Sequence, residues 1–194
     1  MKETKKSARP GSSAAERILQ AASELFYEEG IRAVGVDTIV ERAEVAKMSL
    51  YKNFGSKDEL VAAYLHARDE RWRAWFEDAV ERRAGSPKDR LLAVFEAYGE
   101  WMERESPRGC AFINAFAELA DTAHPAREVA WEQKGWMLRY LAKLAFDAGA
   151  EEPDDLAERM FVLLEGATVA SAMRTVDDPL RQAKETAASL VEDL

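Results

Sequence analysis

The stretch KMSLYKNFGSK, Lys47 to Lys57, carries three lysines and no carboxylate, in a chain of 194 residues that holds 36 Asp plus Glu against 27 Lys plus Arg. Wound as a helix, it places Leu50 and Phe54 four residues apart on one side with Tyr51 beside them. Lys47, Ser49, Lys52 and Asn53 are left to the other sides. Such a surface suits a polyanion: ammonium groups neutralise phosphates, and the short polar side chains between them reach base edges. A carboxylate there would face phosphate oxygens across a few ångströms. Taken alone, the same pattern also describes a solvated amphipathic helix whose lysines serve solubility, so its flanks must decide.

Apolar residues recur at helical spacing nearly throughout, and alternating strand-like runs bounded by tight turns are missing, so the chain reads as all-α. Ser13 followed by Glu16 is a capping-box signature, opening a stripe of Ala14, Ala15, Ile18, Ala21, Ala22, Leu25 and Phe26 that stops before Gly30. Val36, Ile39, Val40 and Ala43 continue as a short second helix, and only Glu44, Val45 and Ala46 separate it from the third. Two short helices across a tight turn form a helix-turn-helix, whose second member enters the major groove. Ser56 and Glu59 make a further capping box, opening a long helix through Leu60, Tyr64, Trp72 and Trp75 toward Arg83. Proline then marks later helix starts in Ser86-Pro87, His124-Pro125, Glu152-Pro153 and Asp178-Pro179, with breaks at Gly109 and Gly149, for about nine helices in all. The division expected is a flexible basic arm over 1–13, a helix-turn-helix domain over 14–60 and a larger helical domain over 61–194.

From Arg17 to about Leu65, through AASELFYEEGI, VDTIVERAEVA and MSLYKNFGSKDEL, the residues resemble the TetR-type one-component transcriptional regulators. That resemblance implies an all-helical fold with a three-helix DNA-binding head and a larger C-terminal domain that binds a small ligand and dimerises. It implies phosphate contacts at Tyr51 and Lys57, and places Lys47, Met48, Ser49, Lys52 and Asn53 toward bases or adjacent backbone. The partners it implies are double-stranded palindromic operator DNA, a second copy of the chain and a small hydrophobic effector, with repression the usual outcome. Some members of the subgroup sharing a later GCAF-N segment answer to drug-like or flavonoid aromatics. Asn53 stands where the family usually has His, Met48 where Gly is common, Ala46 where Ser is common, and Glu44 where Gly is usual. The operator sequence therefore does not carry over, and Glu44 is expected in a left-handed backbone conformation. The arm bearing Lys2, Lys5, Lys6 and Arg9 either reaches an adjacent minor groove or phosphates, or is a solubilising tail.

Beyond the head, large apolar side chains recur at helical intervals. Most belong to a core, yet this many rings can leave a cavity for a flat apolar ligand, with Trp101, Phe112, Asn114, Phe116, Trp131, Met137, Tyr140 and Phe161 as its candidate lining. Asn114 either orients a ligand or makes a capping or inter-helix hydrogen bond. Near the end, Leu156, Met160, Leu163, Ala167 and Ala170 lie along one side, and Leu180, Ala187 and Leu190 repeat the pattern. These are candidates for a two-fold dimer interface, the alternative being that the stripes are used within one subunit.

The net charge of −9 excludes a protein that coats nucleic acid or anionic membrane over its whole surface. Cys110 is the only cysteine, which rules out an internal disulfide and points to a reducing cytoplasm. MKETKKSARPGSS is not followed by an uninterrupted apolar run, and MFVLLEGATVASAM is too short to span a bilayer, so a soluble protein without a membrane partner is expected. An enzyme would need a reactive centre, for which Cys110 with His124, or His124 with Glu118 and Asp121 as metal ligands, are the candidates. A single Cys is more often a small buried apolar residue and a His before Pro125 a helix-start residue, so neither catalysis nor a cofactor is expected. A helical adaptor without DNA or ligand function is the third reading, and the basic segment and aromatic cluster weigh against it.

Overall fold

In the computed structural model, residues 13–83 and 85–192 are described; the basic arm with Lys2, Lys5, Lys6 and Arg9 lies outside them. Among the described residues there are nine helices and no strand: α1 (Ala14–Glu29), α2 (Val36–Arg42), α3 (Lys47–Phe54), α4 (Lys57–Arg83), α5 (Pro87–Glu105), α6 (Ala111–Glu118), α7 (Pro125–Asp147), α8 (Pro153–Met173) and α9 (Pro179–Leu190). Proline is the first residue of α5, α7, α8 and α9, where its missing N–H is no loss and its fixed φ is already helical. None of the described helices is long and apolar enough to cross a membrane.

The described residues fall into two compact units. One comprises those up to Ala67 with Ala115–Val129, the other Arg68–Asn114 with those from Ala130 onward. This differs from a contiguous boundary at residue 60, because the end of α6 and the start of α7 belong with the N-terminal helices.

In the first unit, Ser13 Oγ accepts the Glu16 N–H at 3.2 Å and the Glu16 carboxylate accepts the Ser13 N–H at 2.6 Å, which fixes the start of α1. Ile18, Ala22, Leu25 of α1, Ile39 of α2 and Leu50 of α3 are fully buried, and the three helices contact one another pairwise. Helix α2 ends in a Schellman motif: Val45 N–H reaches Val40 O at 3.1 Å, Glu44 N–H reaches Glu41 O at 3.2 Å, and Glu44 takes φ 54°. The left-handed residue that glycine usually supplies is here a glutamate. Arg17 Nε donates to the Ala43 carbonyl at 3.2 Å and ties the same turn to α1.

In the second unit the core is aromatic. Trp72 stacks on Phe76 at 4.8 Å, Trp136 on Tyr140 at 5.1 Å, and Tyr98 meets Trp72 and Phe76 edge-on. Helix α9 packs against both α5 and α8. Leu156, Met160, Ala167 and Ala187 are buried in this core, which corrects their expected place between two copies: a side chain already removed from water by its own subunit has no surface to offer a partner. Leu163, Ala170 and Leu180 are half-buried and Leu190 is exposed. The opposite side of α8 is the open one, with Val162 at 69%, Val169 at 42% and Met173 at 67% exposure.

Glu44→Gly should raise the stability of the chain by up to about 1.5 kcal/mol, since relief of a left-handed side chain (about 1–2 kcal/mol) outweighs the added unfolded-chain entropy of glycine (about 0.5–1 kcal/mol). Denaturant unfolding measures this; a less stable variant would mean the left-handed residue is not strained.

Candidate nucleic-acid interface

Helix α3 is held from below and open above. Leu50 is its buried residue, Phe54 and Ser49 are half-buried, and Lys47, Met48, Tyr51, Lys52 and Asn53 are exposed. Met48, at 74% exposure on the first turn, is a large apolar side chain left in water, as a residue meant for a partner would be. Ala46 caps α3 without a side-chain hydrogen bond, and the first turn carries no acid, so the positive end of the helix is unoccupied by any carboxylate of its own.

The three lysines have different surroundings. Lys47 pairs with Asp37 of α2 at 2.8 Å, and that hydrogen bond raises its pKa. The segment is thus free of carboxylate along the chain but not in space. Lys57 donates from Nζ to the Ile31 carbonyl at 2.6 Å and lies 5.8 Å from the Phe26 ring centroid. Burial lowers its pKa, against the pull of Asp58 and Glu118. Its ammonium therefore ties the start of α4 to the α1–α2 connection. Among the described residues Lys52 has no ion pair, and it is the lysine most available to a phosphate. Asn53 donates from Nδ2 to the Ser49 carbonyl at 2.7 Å, which fixes the amide against its own helix and leaves its oxygen outward.

Further contacts brace this unit. The Glu118 carboxylate accepts the Arg32 N–H at 3.0 Å, and a Cβ on Gly30 (φ 96°) would meet the same carboxylate at 3.2 Å. His124 Nδ1 accepts the Ala126 N–H at 3.1 Å, so the ring proton sits on Nε2, 3.3 Å from Asp58 Oδ1. His124 is thereby a helix-start residue with both nitrogens engaged.

Residues 18–64 match the bacterial regulatory proteins of the tetR family, and residues 87–187 match the tetracyclin repressor-like C-terminal domain. The chain belongs to the TetR family. A solved structure of SCO4454, a TetR-family transcriptional regulator from Streptomyces coelicolor, is 31% identical, with a TM-score of 0.78 over 92% of each chain. The HTH-type transcriptional regulator YjdC of Escherichia coli K12 is 24% identical over 180 residues, 87% of this chain and 94% of its own. The HTH-type transcriptional repressor NemR of the same strain is 23% identical over 177 residues, covering 87% of this chain and 88% of that one. This TetR-family chain is a DNA-binding transcriptional regulator that responds to a ligand.

The eight residues expected to line one effector pocket have unlike surroundings. Trp101 and Phe112 line a cavity of the second unit, Met137 is buried in the core, and Phe161 and Tyr140 are partly buried against it. Burial, with Glu77 and Glu81, pushes the Tyr140 hydroxyl up to about 12. Trp131 is 75% exposed and Phe116 47%, with Arg127 stacked 3.9 Å from the Phe116 centroid. Asn114 donates from Nδ2 to the Arg108 carbonyl at 3.1 Å, a bond to the segment just before its own helix. Cys110 Sγ accepts from Lys134, whose ammonium also meets Glu165 at 2.7 Å. Burial opposes that charge, but the sulfur and Glu165 outweigh it and raise the Lys134 pKa. Residues that sequence reasoning passed over include Asp37, Glu118 in its contact with Arg32, Arg68 and Gln133.

Lys52→Ala should lower the log–log salt dependence of DNA binding by about 0.9 and leave the melting temperature unchanged. Lys57→Ala should instead lower the melting temperature, since it strips the donor from the Ile31 carbonyl. Gel-shift titration across salt, paired with thermal unfolding, separates the two. An unaltered slope for Lys52→Ala would remove it from the phosphate contacts.

Proposed function

We propose that the chain is a repressor that binds a palindromic operator as a symmetric dimer and leaves it when a small hydrophobic effector fills the second unit. The observation that carries this reading is α3, anchored through Leu50 and open along Met48, Tyr51, Lys52 and Asn53. In this reading Lys52 and Tyr51 contact phosphates, while Met48, Ser49 and Asn53 meet base edges. Lys47 exchanges Asp37 for a phosphate, and Lys57 positions the start of α4 rather than touching DNA. NemR's description as a repressor supports the direction of control. A cytoplasmic location follows from the operator as partner.

The dimer surface in this reading is the open side of α8, where Val162, Gly166, Val169 and Met173 follow a four-three-four spacing, with Leu190 of α9 contributing from its exposed side. A row of this kind is self-complementary about a two-fold axis, and Gly166 lets two helices approach closely. An effector acts by binding the DNA-incompetent form better; a coupling of about 1–3 kcal/mol gives roughly 5- to 150-fold release. Cys110 and His124 serve the fold, each held by the partners described above, and no catalytic step is assigned to them.

Selection of bound duplexes from a random pool should return a palindrome, and sequences without two-fold symmetry would count against the reading. Val169→Glu with Met173→Glu should convert the protein to a monomer by light scattering and abolish tight binding to the selected duplex. A double variant that remains dimeric would move the interface elsewhere.

A further inference from the structure

The cavity lined by Trp101 and Phe112 also takes in Trp72, Tyr98, Arg68 and Gln133. Its water-accessible volume is ≈ 10 Å³, about the space of a single water. Gln133 is 2% exposed, and its Oε1 is buried without a hydrogen-bond partner among the described residues. Four other polar side chains of the wall, Arg68, Ser106, Tyr98 and Cys110, have partners. Arg68 donates to the Glu105 carbonyl at 2.8 Å and to Ser106 Oγ at 2.7 Å, and Tyr98 hydrogen-bonds Thr168 and Cys110. What the Gln133 side-chain oxygen lacks is a donor. A buried acceptor left alone is costly, and a molecule that brings an O–H or N–H to it recovers that cost on binding.

The rest of the wall sets the shape. Trp72, Tyr98, Trp101 and Phe112 present four aromatic rings, which favour a flat ring stacked or edge-on among them. Met102, also in the wall, is unbranched and has three rotatable bonds, so a guest larger than water would be admitted by its rotation. We propose that this cavity is the effector site and takes a small planar aromatic carrying a hydroxyl or N–H, which donates to Gln133 Oε1. The proposal rests on the reading of the chain as an effector-released regulator. It adds the chemical class of the effector and the residue that selects it.

The test uses the full chain and two matched pairs, phenol with anisole and indole with N-methylindole, each pair differing by a methyl group that blocks the donor. Calorimetric titration and thermal shift should show at least one donor compound binding about tenfold or more tightly than its methylated twin. Gln133→Leu, which removes the orphaned acceptor and fills the same space, should melt no lower than the parent and lose that preference. Equal binding of the twins, or a preference that survives Gln133→Leu, would overturn the proposal. So would the binding of neither pair, with a crystal structure showing only a water on Oε1. Gel shift with the selected duplex on the same preparation keeps the two readings apart: loss of specific DNA binding would sink the regulator reading, whereas the ligand pairs report on the cavity without DNA.

Discussion

A helix of two turns has little stability of its own, and it can offer a fixed face to a partner only if its other face is held. In α3 that hold is Leu50, fully buried where α1, α2 and α3 meet. Complete burial of a leucine is worth about 1.5–3 kcal/mol. With Leu50 pinned, the rotation of α3 is set, and Met48, Lys52 and the outward oxygen of Asn53 have no choice but to face away. The left-handed turn at Glu44 sets the angle at which α3 leaves α2, and the Arg17–Ala43 hydrogen bond holds that turn against α1. A strained, non-glycine residue survives there because the contacts around it over-determine the conformation.

Charge in this head is arranged by neighbours rather than by composition. The protein is acidic overall, yet α3 has no acid, and the nearest carboxylate is Asp37 reaching across from α2. An exposed Lys–Asp pair contributes little to stability, so Lys47 can leave Asp37 at small cost. Lys57 shows the opposite arrangement: half-buried and bonded to Ile31, it serves the fold of the head. Two lysines of one short segment thus have unlike roles, decided by what lies within a few ångströms of each.

Much of this was legible in the sequence because the signals were local. Capping boxes at Ser13 and Ser56 and prolines at 87, 125, 153 and 179 mark where helices begin, since each acts within one turn of backbone. The left-handed residue at Glu44 was legible on other grounds, the resemblance to a family that usually has glycine at this position. Long-range pairings were not: nothing in the spacing of α2 and α3 says that Asp37 meets Lys47, or that Glu118 receives a backbone N–H from Arg32. Helix α8 shows the limit of periodicity most clearly. It carries two apolar stripes, Leu156, Met160, Leu164 and Ala167 on one side and Val162, Val169 and Met173 on the other. Spacing alone cannot say which is core, and the stripe with the larger residues in unbroken succession turned inward. Gln133 was invisible for a related reason, as a single polar residue on a long helix acquires meaning only from the cavity beside it.

Amide hydrogen exchange of the protein, free and saturated with its selected duplex, tests the central claim most directly. If α3 is the reading helix, exchange in Lys47–Phe54 slows strongly on binding, most at its first turn, and α8 is unaffected. Slowing elsewhere on the protein, with α3 exchanging as it does in the free chain, would contradict the account.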